Sequence, residues 1–122
     1  MSKLDELIRE IQNELGADLR YIGIAGTDGL PIAQLNMVDV DTDAVAARYA
    51  LIAKLSQKVS DKLKLGDVED NLISLDSAYS MVHMLGNGSY YAFLGFHKDA
   101  PIGVFRMVMK EYSEKLWDAI PR

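Results

Sequence analysis

Apolar and polar positions along the chain follow a helical period in three segments. In the first segment, apolar residues recur at helical spacing: Leu4, Leu7, Ile8, Ile11 and Leu15. Such a stripe predicts an amphipathic helix, and Gly16 is the residue type that ends one. A second helix is predicted from about Thr42 to Leu65, and a third from about Ile102 to Ala119.

Five further segments contain apolar residues and are bounded by turn residues, which predicts strands. They span residues 19–26, 30–35, 68–75, 79–85 and 90–96. In the last segment, the residues that would face each side of the sheet are mostly apolar. We therefore expect this strand at the centre of a sheet that is covered on both faces. Pro31 cannot donate a ladder hydrogen bond, so we expect either that the second strand lies at an edge or that Pro31 lies at its start. Before it, Asp28-Gly29 predicts a type I′ hairpin turn.

The predicted order of elements is α-β-β-α-β-β-β-α, in a single domain that spans residues 1–122. Five strands and three helices in so short a chain favour an α/β (α+β) fold, in which a five-stranded sheet is sandwiched between helices. No repeat, linker or low-complexity segment interrupts the chain.

The central predicted helix has more apolar surface than one face of a sheet requires. A broad stripe of larger residues is expected to cover the sheet: Val45, Tyr49, Ile52, Val59 and Leu63. Beside it lies a strip of small residues, Ala46, Ala50 and Ala53, with Leu51 and Leu55 on the other flank. Because small side chains let two helix backbones approach closely, we predict that the alanine strip forms a seam between two copies. Ordinary packing of the alanines against the sheet is the alternative.

Charge and composition restrict the possible classes of function. The chain has 122 residues and a formal net charge of -5, from 13 basic and 18 acidic residues. Phosphate repels an acidic chain that lacks a dense Lys/Arg run, so nucleic acid and anionic membranes are poor partners. The chain has no cysteine, which excludes thiolate chemistry and fits a cytoplasmic protein. The charged N-terminus is unlike a signal peptide, and no apolar run has the ~18 residues of a membrane span.

The sequence contains no recognisable catalytic apparatus. The glycines of residues 23–29 have neither dinucleotide-fold nor Walker A spacing and are better explained as hairpin glycines. His83 and His97 lack partners at metal-ligand spacing. The acidic residues of 39–43 lack the later Gly and Glu of a calcium loop and fit a helix N-terminus. We therefore expect neither enzymatic activity nor a metal or other cofactor.

Three stretches resemble the Roadblock dynein light-chain family, which includes partners of small GTPases in bacteria and archaea. Residues 21–33 resemble the family's apolar strand and its hairpin, here with Asp-Gly-Leu-Pro-Ile-Ala at positions 28–33. Residues 44–63 are similar to its alanine-rich central helix. Residues 86–106 are similar to its last hairpin and the start of its last helix. Together the three stretches span nearly the whole chain.

The resemblance implies an antiparallel sheet in the order 2-1-5-4-3, with the central helix on one face and the other two on the opposite face. It implies a homodimer, or a heterodimer with a paralogue, in which the central helices pack antiparallel. The third strands would pair across the two-fold axis through Leu72 and Ile73, which also protects an edge strand. Family members bind small GTPases over the paired helices, which gives four predicted partner contacts: Arg48, Lys54, Lys58 and Asp61.

The expected function is therefore a non-enzymatic dimeric adaptor that regulates a Ras-like small GTPase or NTPase. Two alternatives stay open. One is a small-molecule sensor of PAS or profilin-like architecture, with an internal pocket lined by Met81, Met84, Tyr91 and Phe93. The other is a structural subunit of a larger motor or scaffold complex, which shares the dimer without the GTPase.

Overall fold

A computed structural model of the chain describes residues 2–122. The three helices are α1 (Lys3–Leu15), α2 (Thr42–Leu63) and α3 (Ile102–Ala119). The five strands are β1 (Leu19–Gly26), β2 (Pro31–Asn36), β3 (Asp70–Ser74), β4 (Ala78–Leu85) and β5 (Tyr90–His97). All neighbouring strands are antiparallel, in the order β2-β1-β5-β4-β3. The predicted order of elements and the implied strand order are both confirmed.

The ends of the helices follow local sequence signals. The backbone N–H of Asp5 donates to the Ser2 hydroxyl at 3.2 Å, which caps the start of α1. Gly16 ends that helix with a φ of 72°. Asp41 caps the start of α2. This helix ends at Leu63, two residues before the predicted end, because Lys64 adopts the left-handed conformation with a φ of 56°.

The turn between β1 and β2 differs from the prediction. A type I′ turn needs positive φ at both central residues, whereas only Gly29 in this turn has a positive φ, of 86°. The Gly29 N–H donates to the Gly26 carbonyl at 2.9 Å, and the Asp28 carboxylate accepts from the Leu30 N–H at 3.0 Å. The prediction of type I′ is therefore wrong: a single left-handed glycine completes the turn, and the strand register shifts beside it.

Helices α1 and α3 cover one face of the sheet and form the larger core with it. The apolar face of α1 is buried as its periodicity predicts: Leu4, Leu7, Ile8, Ile11 and Leu15. From α3, Phe105 stacks on Phe96 of β5 with ring centroids 4.1 Å apart. Strand β5 is buried on both faces and lies third of five, so the prediction of a central strand is confirmed.

Helix α2 covers the opposite face with its small side chains. Ala46, Ala50 and Ala53 are 0%, 4% and 1% exposed within the single chain, and they pack with Tyr91 and Phe93 of β5. The prediction that these alanines form a seam between two copies is therefore wrong, because the sheet already occupies that side of the helix.

The reason for this orientation is the size of the side chains that the sheet presents to α2. Phe93 lies over Gly23 so closely that a Cβ atom at residue 23 would overlap the ring. Phe93 also stacks on Tyr49 at a centroid distance of 5.2 Å. Since the sheet supplies most of the aromatic bulk, α2 approaches it closely through alanines, and Tyr49 is the large residue of the helix that packs inward beside them. Of the stripe predicted to cover the sheet, Tyr49 is buried, whereas Val59 and Leu63 are exposed.

Hydrogen bonds fix α2 in one position over the sheet. The Tyr91 hydroxyl donates to the Ala46 carbonyl at 2.6 Å. The Tyr49 hydroxyl is hydrogen-bonded to Tyr21 at 2.6 Å and also to Ser80. Burial raises the pKa of Tyr91 to about 12 and raises the pKa of Tyr49 further. Both hydroxyls therefore stay protonated near neutral pH and keep their hydrogen bonds.

Candidate functional site

The outward side of α2 carries a row of large aliphatic residues, which we call the apolar ridge. It consists of Leu51, Leu55, Val59 and Leu63, which are 59%, 64%, 52% and 59% exposed. The four residues are spaced four apart, so their side chains form a continuous stripe along the helix. A monomeric soluble protein rarely exposes an apolar stripe of this kind, and one usually marks an interaction site.

The apolar ridge lies next to the edge strand β3. The Asn71 side chain of β3 donates to the Ser56 hydroxyl of α2 at 3.0 Å. Val59 follows Ser56 by three residues and is therefore on the same side of the helix. Ile52 of α2 and Ile73 of β3 pack against the same core. An exposed apolar helix face and a strand edge thus form one continuous surface.

The outer edge of β3 is open to pairing, because its only strand neighbour in the described sheet is β4. Leu72 and Ile73, the residues predicted to lie at a dimer interface, are both half-buried in the single chain. An edge strand presents unpaired N–H and C=O groups that another strand can bind.

The four predicted partner contacts are all exposed on α2: Arg48, Lys54, Lys58 and Asp61. Three of them, Lys54, Lys58 and Asp61, line a cleft of about 850 Å³. This cleft lies between α2, the β4–β5 hairpin and α3, and we call it the hairpin cleft. Arg48 does not line it. The structure therefore brings three of these charged residues to one place and leaves Arg48 apart from them.

Comparison with known proteins identifies the family of the chain. The Roadblock/LC7 domain family matches residues 3–94. The chain belongs to the Roadblock/LC7 family. The resemblance inferred from the three sequence stretches is thus confirmed. No curated protein sequence matches the chain significantly.

Solved structures of Roadblock/LC7 relatives have the same fold. The gliding protein MglB of Thermus thermophilus matches with a TM-score of 0.85 and 21% identity, over 96% of this chain and 87% of that chain. A structure described as MglB with tetrameric arrangement matches with a TM-score of 0.86 and 20% identity, over 96% of this chain and 87% of that chain. The Roadblock/LC7 domain from Streptomyces avermitilis matches with a TM-score of 0.82 and 20% identity, over 92% of this chain and 92% of that chain. At these identities the likeness shows the fold.

In this Roadblock/LC7 domain, α3 braces the edge strand through ion pairs that the sequence did not reveal. Arg106 donates from Nε and Nη2 to the two carboxylate oxygens of Asp70, at 3.2 and 3.1 Å. Such a forked pair is stronger and more directional than a single contact. The Lys110 ammonium lies 3.4 Å from the Glu69 carboxylate. The two pairs hold the start of β3 against α3, and so they position the edge beside the apolar ridge.

The pocket predicted for a small-molecule sensor is not assembled as expected. Met81, Tyr91 and Phe93 are each at most 1% exposed in the packed core. They lie on two faces of the sheet, because Met81 belongs to the core under α1 and α3 whereas Tyr91 and Phe93 lie under α2. Only Met84 of the four lines the hairpin cleft.

His83 of β4 is a buried titratable residue in the Roadblock/LC7 domain. It lies opposite Asp70 of β3 and is 4% exposed. Burial lowers the pKa of His83 below its usual 6.5, Lys110 lowers it further, and the carboxylates of Asp70 and Glu69 act in the opposite direction. The folded protein therefore holds this imidazole neutral at a pH where an unfolded chain would begin to protonate it.

We expect this difference to make folding stability depend on pH. Below about pH 6.5 the unfolded chain binds a proton at His83 that the folded chain resists, so the free energy of unfolding falls as the pH falls. One proton contributes at most about 1.4 kcal/mol per pH unit. Urea unfolding at pH 7.5 and 5.5 measures the loss, which should be smaller in His83→Leu than in the wild type. An equal loss in both proteins would contradict this role.

Two further findings concern metal ions and membranes. Within residues 2–122, no group of three or more His, Cys, Asp or Glu side chains is placed to hold a metal ion. Over the same residues, no helix has the length and apolar character that crossing a membrane requires.

Proposed function

We propose that the chain is a non-enzymatic dimeric adaptor that regulates a Ras-like small GTPase or NTPase. The observation that carries the proposal is the apolar ridge of α2 beside the open edge of β3. Membership of the Roadblock/LC7 family, and the resemblance to members that bind small GTPases, support the class of partner.

The dimer would form about a two-fold axis next to β3. The ridge residues Leu51 to Leu63 span about 18 Å of helix, so two α2 helices packed antiparallel would cover both ridges. The β3 strands would pair through the backbones of Leu72 and Ile73, which would extend the sheet across two copies. This arrangement removes apolar surface from water and satisfies the free edge in one interface.

The partner copy can be a second identical chain or a paralogue with the same fold. The structure described as MglB with tetrameric arrangement supports the idea that proteins of this fold assemble into larger units. The apolar ridge is self-complementary in an antiparallel pair, because Leu51 of one copy would approach the Leu63 end of the other. We therefore favour a homodimer.

The charged residues beside the ridge would supply the surface that recognises the GTPase. Arg48, Lys54, Lys58 and Asp61 are exposed on α2, and pairing of two helices would place two such sets on one composite face. Charges at the rim of an interface act mainly on association rate and partner selection. Such a face could hold the GTPase's switch loops in one arrangement or tether the GTPase, without any catalytic group from this chain.

We expect reversal of the charges on α2 to weaken GTPase binding. The double variant Lys54→Glu/Lys58→Glu should lower the affinity at least about tenfold, because it reverses two of the four charges proposed to contact the GTPase. Candidate Ras-like GTPases from the same genome, loaded with GDP or a GTP analogue, are titrated against the dimer by biolayer interferometry.

The matched control is Arg9→Glu/Lys115→Glu, which makes the same charge change on α1 and α3, on the other face of the sheet. This control should bind like the wild type. A dimer that binds no candidate GTPase in either nucleotide state would contradict the proposed partner class. Such a result would instead favour a structural subunit of a larger complex.

A further inference from the structure

The free edge of β3 presents the backbone groups of alternate residues. In an antiparallel pair, every second residue directs its N–H and C=O groups toward the neighbouring strand, and the residues between direct theirs away. At the start of the β3–β4 pair, the Met84 N–H donates to the Glu69 carbonyl at 2.9 Å. At its end, the Leu75 N–H donates to the Ala78 carbonyl at 2.9 Å. Residues 69 and 75 therefore face β4, and since the register between them is unbroken, residues 71 and 73 face β4 as well.

The residues between these, Asp70, Leu72 and Ser74, direct their N–H and C=O groups to the outside of the sheet. None of the loop hydrogen bonds within residues 2–122 reaches these groups. The side chains at these alternate positions share the face of the sheet that α3 covers, because Arg106 of α3 binds the Asp70 carboxylate and Leu72 packs against the core under α1 and α3. Of the two residues at the proposed seam, Leu72 thus supplies free backbone groups, whereas the backbone of Ile73 faces β4.

The two-fold axis of the proposed dimer restricts how two such edges can pair. Two α2 helices contact each other only if they lie on the same side of the joined sheet, so the axis must be perpendicular to the sheet. Because directly opposite residues in an antiparallel pair point to one face, each residue of β3 must then lie opposite a residue of its own face. The three residues with free backbone groups share one face, so the edge meets this condition.

One register of the two strands uses all the free backbone groups. With Leu72 of both copies on the axis, each Asp70 lies opposite Ser74 of the other copy, and every outward-facing residue of β3 is in a hydrogen-bonded pair. A shift of two residues one way leaves Ser74 outside the pairing and brings the two Asp70 carboxylates closer together. A shift the other way places Asp70 opposite Asp76. Because like charges on facing strands are unfavourable, both shifts weaken the interface.

We propose that β3 pairs with β3 of a second copy about Leu72, and that the Ser74 hydroxyl of each copy donates to the Asp70 carboxylate of the other. The inference rests on the proposed dimer and specifies its register. Each Asp70 oxygen already accepts one bond from Arg106, and a carboxylate oxygen can accept a second. Donor and acceptor lie symmetrically about Leu72, so an identical chain satisfies both, whereas a paralogue without either residue does not.

Disulfide cross-linking tests the register, because the chain has no native cysteine. In Leu72→Cys, the two Cα atoms of residue 72 would lie about 5.5 Å apart, a distance that a disulfide spans. We expect oxidation with copper phenanthroline to cross-link this variant. Asn71→Cys and Ile73→Cys should each stay uncross-linked alone, because the equivalent Cα atoms would be about 8 Å apart.

Coexpression of Asn71→Cys with Ile73→Cys, one of them carrying a longer tag, should instead give a mixed disulfide. Residue 71 of one copy would lie opposite residue 73 of the other, with Cα atoms about 4.5 Å apart. Because Leu72 is half-buried, this pair decides the result if Leu72→Cys loses the dimer.

Light scattering under reducing conditions shows whether the dimer itself exists. A particle of one chain mass for the wild type would remove the proposed dimer and the register with it. In a dimeric protein, cross-linking of Asn71→Cys or Ile73→Cys alone would indicate a shifted register. Absence of the mixed disulfide would place the seam elsewhere. Each of these two results would overturn the proposal while the dimer stands.

The contact between the side chains is tested by Ser74→Ala. This variant removes two charge-assisted hydrogen bonds from each dimer, so it should weaken association about tenfold in sedimentation velocity. Ser74→Thr keeps the hydroxyl and should associate like the wild type. The matched control is Ser77→Ala, which removes a hydroxyl from an exposed serine in the turn after β3. Equal association constants for Ser74→Ala and Ser77→Ala would contradict the proposed hydrogen bond.

Discussion

The Leu55→Lys variant is expected to lose the dimer. Leu55 is 64% exposed in the single chain and lies in the middle of the apolar ridge. In the proposed two-fold interface, each lysine would bury an ammonium group among aliphatic side chains without a counter-charge. Burial of an unpaired charge costs several kcal/mol, and even about 3 kcal/mol weakens association more than a hundredfold. Sedimentation velocity at matched concentrations measures the loss.

The control for this variant is Leu30→Lys. Leu30 is also 64% exposed, but it lies in the turn before β2, at the opposite edge of the sheet from β3. The same substitution at an equally exposed leucine should leave the association constant within about a factor of two, because surface changes away from an interface have small effects. Equal loss of the dimer in both variants would show that the ridge has no special role.

The Ala46→Leu variant is expected to destabilise the fold. Ala46 is 0% exposed, and its carbonyl accepts a hydrogen bond from Tyr91, which holds the helix backbone close to the sheet. A leucine there would press on the aromatic residues of β5 or push the helix outward and break that bond. Extra methylene groups in a packed core typically cost about 1–3 kcal/mol. Urea unfolding at a fixed protein concentration measures the change.

Ala44→Leu is the matched control for that substitution. Ala44 lies in the first turn of the same helix but is exposed, so the larger side chain should change the free energy of unfolding by less than about 0.5 kcal/mol. Ala46→Leu could instead leave the free energy of unfolding unchanged and alter only the fraction of the protein that is dimeric. In that case the alanine strip would be a seam between copies after all. That result would contradict the orientation of α2 described above.

The order and type of the elements could be predicted because their signals are local. The stripe of α1, the glycine that ends it and the apolar alternation of β5 each depend on residues close in sequence. The turn before β2 was predicted less well, because Asp-Gly is compatible with more than one hairpin geometry. Its actual form depends on the Asp28 carboxylate, which accepts the Leu30 N–H.

The orientation of α2 could not be predicted from its own periodicity. Periodicity identifies which residues share a side of a helix, but it does not determine which side of the helix packs against the sheet. That choice depends on Phe93 and Tyr91, which follow the end of the helix by 30 and 28 residues and whose bulk favours small side chains at the contact. A signal was present in the spacing of Leu51, Leu55, Val59 and Leu63, whose four-residue repeat marks a continuous stripe along the helix.

The remaining parts of the candidate site depend on contacts between distant segments. The Arg106–Asp70 pair joins residues 36 apart, and nothing near either residue indicates its partner. The sequence indicated only that His83 lacks partners at metal-ligand spacing. The structure shows a buried ring with a nitrogen that has no hydrogen-bond partner. Only the pairing of β4 with β3 and the position of α3 create that environment.

The central claim is that the apolar ridge and the β3 edge join two copies of the chain. Light scattering of the wild-type protein across a wide concentration range tests it most directly. We predict a stable particle of twice the 13.6 kDa chain mass, which persists on dilution to the low micromolar range, as expected for an interface of obligate type. A particle of 13.6 kDa at every concentration would contradict the claim.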